Sequence, residues 1–111
     1  MKYRVVVTSS AKRDLFQTVA WWGEHRSFEQ AERWYAGIVA AIDTLSDRPA
    51  RCPVSPEDDL LPSGLWQLHF GVGRRTTHRI VFTVVEEEVR VLRVRHTAQQ
   101  DLTPDDLEQH F

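Results

Sequence analysis

The chain opens on an alternating, β-branched run from Lys2 to Thr8, which predicts a strand. Ser9 or Ser10 then offers a hydroxyl to the unpaired N–H groups of a helix start. Ala11, Leu15, Val19 and Trp22 recur at spacings of four, four and three, which puts them on one helical face, with Gly23 near its end. Ser27-Phe28-Glu29-Gln30 has capping-box form, with Gln30 placed to return a bond to the cap residue. From there Ala31, Trp34, Tyr35, Ile38, Ile42 and Leu45 form an apolar stripe, and Pro49 ends the run. Two helices joined by a short polar link predict an antiparallel hairpin.

Residues 49–64 hold four prolines and little periodicity, so a loop is expected. Three strands should follow. Leu65 to Phe70 places Trp66, Leu68 and Phe70 on one side. Thr76 to Val85 places Ile80, Phe82 and Val84 on one face and Arg79, Val81 and Thr83 on the other. Val89 to His96 places Leu92, Val94 and His96 opposite Arg93 and Arg95. Glu86-Glu87-Glu88 is the expected hairpin turn, and its like charges discourage edge-to-edge aggregation. The order is β-α-α-β-β-β: an α+β single domain over 1–111, with a helical hairpin packed on a mostly antiparallel sheet. Residues 101–111 form an acidic C-terminal tail or short helix, capped by Thr103. That tail either packs near the arginines of the last strand and screens them or remains a frayed, solvated terminus.

Composition narrows the classes. A length of 111 residues suits one domain with one core, and 41% apolar with 27% charged residues is ordinary for a soluble globular protein. The single cysteine, Cys52, cannot form an intramolecular disulfide. The first residues lack the apolar run of a signal peptide, and no stretch approaches the ~20 apolar residues of a membrane span. The expected location is cytoplasmic. The net charge of -2 gives no global attraction to nucleic acid. That sum hides a segregation, because seven acids are confined to Glu57-Asp58-Asp59 and to Asp101, Asp105, Asp106 and Glu108. Against the remaining nine acids stand 14 cations, 12 of them arginine, so the body carries a surplus of five. Arginine is the better residue for bidentate phosphate or carboxylate contacts.

Several chemistries lack their signatures. There is no Gly-rich phosphate loop, CxxC, HExxH or GxSxG, and the five histidines lack metal-ligand spacing, so neither metal nor cofactor is expected. Cys52 would need a base and a cationic setting to act as a nucleophile; Arg48 and Arg51 are near it in sequence. Glu57, Asp58 and Asp59 read either as a carboxylate pair or as a solvated acidic loop. What remains is the concentration of Arg74, Arg75, His78, Arg79, Arg90, Arg93, Arg95 and His96 on two neighbouring strands. Arg79 with Arg93 or Arg95 would repel across one sheet face unless an anion or a carboxylate sits between them. Either this face takes a phosphate or a partner's acidic side chains, or it is solvated with internal partners such as Glu86 and Glu88. His96 reads as a half-buried core histidine or as a general base beside Arg95.

The element order, the run Ser63-Gly64-Leu65-Trp66, the run His78-Arg79-Ile80-Val81-Phe82-Thr83-Val84 and the closing Val91-Leu92-Arg93-Val94-Arg95-His96 resemble the RelE/ParE superfamily of type II toxins. The resemblance spans Lys2 to about Leu102. It implies a toxin neutralised by a cognate antitoxin, in a hetero-oligomeric complex. RelE-type members are ribosome-dependent mRNA endonucleases; ParE-type members poison DNA gyrase. By resemblance Arg79, Arg95 and His96 are the catalytic candidates if the chain is a nuclease. Arg74, Arg75, His78 and Arg93 are candidates for target or antitoxin binding. Arg93-Val94-Arg95-His96 is similar to the Arg-x-x-His ending of ParE-like members, and no tyrosine follows Tyr35, so the terminal tyrosine of one nuclease subgroup is missing. With a sequence pI ≈ 6.2 and two lysines, the chain also lacks the basic character expected of a ribosome-entering nuclease. The ParE-like branch is therefore favoured. The alternatives are a RelE-like mRNA endonuclease and a non-toxic homologue that only binds an antitoxin.

Overall fold

The computed structural model describes residues 2–111. Its strands are β1 (Arg4–Val7), β2 (Trp66–Phe70), β3 (His78–Val85) and β4 (Glu88–His96); its helices are α1 (Ser9–His25) and α2 (Phe28–Asp43). The sheet order is β1-β4-β3-β2, with β1 parallel to β4 and the other pairs antiparallel. The fold is α+β, two helices laid on a four-stranded mixed sheet.

Local chemistry explains the boundaries. Thr8, and neither Ser9 nor Ser10, caps α1: its hydroxyl accepts from the Ala11 N–H at 3.2 Å and donates to the Leu92 carbonyl at 3.0 Å. The hydroxyl thus starts the helix and ties it to β4. Ser27 caps α2 by accepting from the Gln30 N–H at 3.1 Å. The turn between β3 and β4 is Glu86-Glu87, with Glu86 in the left-handed region (φ 57°); Glu88 already pairs in the sheet. The loop of residues 49–64 contains two short 3-10 turns, Pro49–Arg51 and Asp58–Leu60.

The sheet has two covered faces. On the first, Ile80, Phe82, Val89, Val91 and Val94 meet Ala11, Leu15, Trp34, Ile38 and Ile42 of the helices. Most of the fold's apolar burial lies here, at roughly 1.5–3 kcal/mol per fully buried large side chain. On the second, Leu65, Val81 and Leu92 meet Leu102 and Leu107 of the tail, with Leu60 and Leu61 beside them. Strict alternation places Leu92 with Val94, but the structure separates them. A register irregularity between Val81 and Phe82 pairs Val81 with Arg93 and Phe82 with Val91, so Leu92 is the extra residue of a bulge and turns to the second face.

Beyond Val91, β4 has no strand on its outer side among the described residues. Side chains finish that edge instead. The Val94 N–H donates to the Asp14 carboxylate at 2.9 Å, and the His96 N–H donates to the Gln99 side-chain oxygen at 2.7 Å. These contacts occupy donors that would otherwise template another strand. No helix among the described residues is long and apolar enough to cross a membrane.

Candidate functional site

Strand alternation divides the cationic cluster. In β3 and β4 the register sets His78 opposite His96 and Arg79 opposite Arg95. Successive side chains leave opposite sides of a sheet, so the arginines share the second face and the histidines share the first. The three residues that resemblance marks as catalytic, Arg79, Arg95 and His96, are therefore not brought together.

Arg79 and Arg95 form the repelling pair that the sequence anticipates, and a carboxylate answers it. Glu57 takes the Arg79 guanidinium in a fork, with distances of 2.8 Å and 2.5 Å. Arg79 also donates to the side-chain oxygen of Gln67 at 3.0 Å. The Ser55 hydroxyl donates to one Glu57 oxygen at 2.6 Å, and the Leu102 N–H donates to the other at 2.8 Å. Arg79 is 8% exposed and Glu57 5%. The hydrogen bond from Arg79 is the main cause holding the Glu57 carboxyl down to about 2, against the opposing effect of burial. The same hydrogen bond raises Arg79 above its ordinary value. Glu57 is thus a buried hub rather than part of a solvated acidic loop. Asp58 is also engaged, accepting from the Leu65 N–H at 2.8 Å, while Asp59 stays exposed.

Arg93 sits at the bulge on the open edge of β4, where it reaches elements from both faces. Asp14 of α1 accepts from it at 2.8 Å and 2.9 Å, and Asp106 of the tail at 3.3 Å. The bond from Asp14 is the first cause raising Arg93. Arg90 donates to Glu88 at 2.6 Å and to the Gln109 side chain at 2.9 Å, and lies 5.7 Å from the Phe111 ring. Arg95 donates to the Gln100 carbonyl at 2.8 Å, while its Nε is shielded with no protein partner. Arg74 and Arg75 are exposed in the loop between β2 and β3, and neither has an ion-pair partner among the described residues. Of the candidate cations on β3, β4 and the loop before them, these two are open to another molecule.

The tail packs across this arginine-bearing face. Thr103 and Asp106 cap the 3-10 turn Pro104–Leu107, with the Thr103 N–H donating to Asp106 at 2.8 Å. That bond is the leading cause lowering the Asp106 carboxyl, with Arg93 and Arg95 adding to it. The path ends where the Ser9 N–H donates to the His110 carbonyl at 2.6 Å, beside the start of α1.

On the first face, His78 is 6% exposed and lies 5.2 Å from both the Trp34 and His96 rings. Burial, with a smaller push from His96, lowers it to about 4, so it is uncharged at neutral pH and offers no cation to a phosphate. His96 is exposed, and its Nδ1 accepts from the Ala98 N–H at 3.0 Å, which leaves the proton of the neutral ring on Nε2. Cys52 is buried. Desolvation raises its thiol, and Arg51 opposes that only in part, so the setting is that of an inert core cysteine. No group of three or more His, Cys, Asp or Glu converges among the described residues.

Sequence reasoning found the arginines but missed their partners Asp14, Ser55, Glu57 and Gln67. One signal was present: an arginine on a strand, next to the apolar run Ile80-Val81-Phe82, needs a counter-ion when buried. Nothing local says that the counter-ion stands 22 residues away.

Residues 5–101 match the family model described as the ParE toxin of the type II toxin-antitoxin system parDE. The fold is similar to a chain of the chromosomal ParDE system from P. aeruginosa (TM-score 0.69, 19% identity, covering 86% of this chain and 96% of that one). It is also similar to a chain of the toxin-antitoxin complex RelBE2 from Mycobacterium tuberculosis (TM-score 0.57, 27% identity, covering 86% of this chain and 99% of that one). No curated protein matches the sequence.

Proposed function

The chain belongs to the ParE toxin family of type II toxin-antitoxin systems, and from that premise we propose that it poisons DNA gyrase in the cytoplasm and is neutralised by a cognate antitoxin. The observation that carries this reading is the division of Arg79 and Arg95 from His96 across the two faces of the sheet. Phosphodiester cleavage needs a proton-transfer group and phosphate-holding cations around one scissile bond. Here the histidine is on the wrong side, and Glu57 already neutralises Arg79. A poison that works by binding protein needs no such constellation. It needs exposed groups for contact, and Arg74 and Arg75 supply them in this reading. The solved relatives are components of toxin-antitoxin systems, which supports an antitoxin as the physiological partner.

The test is direct. Purified protein incubated with gyrase, ATP and relaxed plasmid should block supercoiling and stabilise a cleavage complex at micromolar concentration. Unchanged supercoiling would overturn the gyrase assignment. Primer extension on translated mRNA should show no new cuts. Cuts that depend on Arg79, Arg95 or His96 would place the chain with RelE-like nucleases instead. Induction in cells lacking the antitoxin should arrest growth; normal growth would mark a non-toxic antitoxin-binding homologue.

A further inference from the structure

We propose that the outer edge of β1, from Val5 to Val7, is a docking site for a flexible segment of a protein partner, which adds to the sheet as a further strand. β1 ends the sheet order, with β4 on its inner side. Its backbone groups alternate in direction. The Arg4 N–H donates to the Glu87 carbonyl at 2.9 Å and the Thr8 N–H to the Val91 carbonyl at 3.0 Å, so Arg4, Val6 and Thr8 turn inward to β4. Tyr3, Val5, Val7 and Ser9 turn outward. The Tyr3 N–H donates to the Ser46 carbonyl at 2.8 Å, and the Ser9 N–H to the His110 carbonyl at 2.6 Å. Between those two braces, the N–H and C=O groups of Val5 and Val7 have no partner among the described residues.

Elsewhere the chain closes its own sheet borders. Beside β2, the Ser55 N–H donates to the Leu65 carbonyl at 2.8 Å and the Gln67 N–H to the Pro53 carbonyl at 2.9 Å. Beside the far end of β4, Asp14 and Gln99 take the strand's donors. Edges left open are usually blunted by a proline, a bulge or an inward-pointing charge. β1 has none of these between its braces. Three half-buried valines stand in a row there, in unbroken register with β4. Valine suits a paired strand. Unpaired donors and acceptors at strand spacing are what another extended backbone recognises.

The braces decide which backbone enters. Two copies of this chain, paired through β1 about a two-fold axis at Val6, would set Tyr3 of one opposite Ser9 of the other. Ser46 and His110 already stand at those positions, so the braces of the two copies would meet in the same space. A flexible segment brings no such elements and needs only three residues inside the gap. Its middle residue stands beside Val6. Tyr3, Val5 and Val7 pack on the first-face core, so Val6 and that middle residue turn to the other side. A hollow lined by Val6, Lys12, Glu88 and Phe111 receives the side chain there, and Phe111 is 60% exposed. The segment that fits is therefore short, extended and apolar at its centre. Nothing in this docking depends on the toxin's target.

The probe is the neutral pentapeptide acetyl-Ser-Thr-Val-Thr-Ser-amide, titrated against the full-length protein with the backbone amides followed by NMR. In the free protein the Val5 and Val7 amides should exchange with water about tenfold faster than those of Val6 and Thr8, or more. The peptide should shift the Val5 and Val7 signals saturably in the millimolar range and slow their exchange. The same peptide N-methylated at its three central amides has lost those donors and should not bind. Val5→Pro removes one outward N–H and no bond to β4, so it should weaken binding about tenfold or more with unchanged circular dichroism. The two peptides give their answer without any change to the protein. Four results would overturn the proposal: slow exchange of Val5 and Val7 in the free protein, no saturable shift, equal binding of the N-methylated peptide, or shifts that appear with protein concentration alone. The last would make the occupant a second copy of this chain.

Discussion

The two faces of the sheet are built by different physics. The first is apolar and continuous: Phe82 and Ile80 lie under Trp34 and Ile38, all at 0–1% exposure. The second is a small leucine and valine patch ringed by ion pairs, Glu57 with Arg79, Asp106 with Arg93 and Glu88 with Arg90. Burial of the first kind carries no charge of its own and answers to falling pH through His78, the titratable group buried among it. Charge pairing of the second kind is conditional, and it costs most when one partner is lost. The arginines that suggest a phosphate site are therefore largely the framework of the second face.

The largest expected effect is on the first face. Trp34→Ala should destabilise the fold by about 3–5 kcal/mol, read by chemical denaturation, because a large cavity opens beneath the helices. A smaller loss would mean that the hairpin collapses onto the sheet.

On the second face, Glu57→Gln keeps an acceptor for the Leu102 N–H but leaves the Arg79 charge buried without its counter-ion. The expected loss is about 3 kcal/mol. Adding Arg79→Met should recover most of it, since the unpaired charge is then gone. A double variant as unstable as the single one would show that Glu57 acts other than by neutralising Arg79.

Acid should separate the faces by pH. His78 is depressed from 6.5 to about 4, so the unfolded chain takes up a proton first and stability is lost as pH falls from 6.5 toward 4. Glu57 is depressed from 4.5 to about 2, so its contribution is present above 4.5 and lost as pH falls toward 2. Stability measured against pH should show two descents, and His78→Leu should remove only the upper one. A single descent below pH 4.5 in the parent would contradict the burial of His78.

The smallest effect should come from Arg4→Ala. Arg4 pairs with Glu88 but stands exposed at the sheet edge, so no resolvable change in melting temperature is expected.

The first face was legible in the sequence because its signal is periodic. Ala31, Trp34, Ile38 and Ile42 repeat with the helix, and Ile80 and Phe82 alternate with the strand. The second face was not, because its determinants are non-local. Alternation cannot register the bulge that turns Leu92, and acidic composition suggests solvent for Glu57 where the fold supplies Arg79. The same bulge leaves Arg93 at an edge, bonded to Asp14 across 79 residues of chain. For the candidate site, alternation already set His96 opposite Arg95 and put Arg79 on a face with Arg93 or Arg95, as the register shows; what it could not reach were the partners, Glu57 above all.

The central claim is that Arg79 is structural and that toxicity does not run through it. The measurement that tests this most directly is gyrase supercoiling inhibition by the Glu57→Gln/Arg79→Met variant, at matched concentrations of folded protein. Inhibition equal to the parent's is expected. A variant that folds like the parent but has lost the inhibition would contradict it.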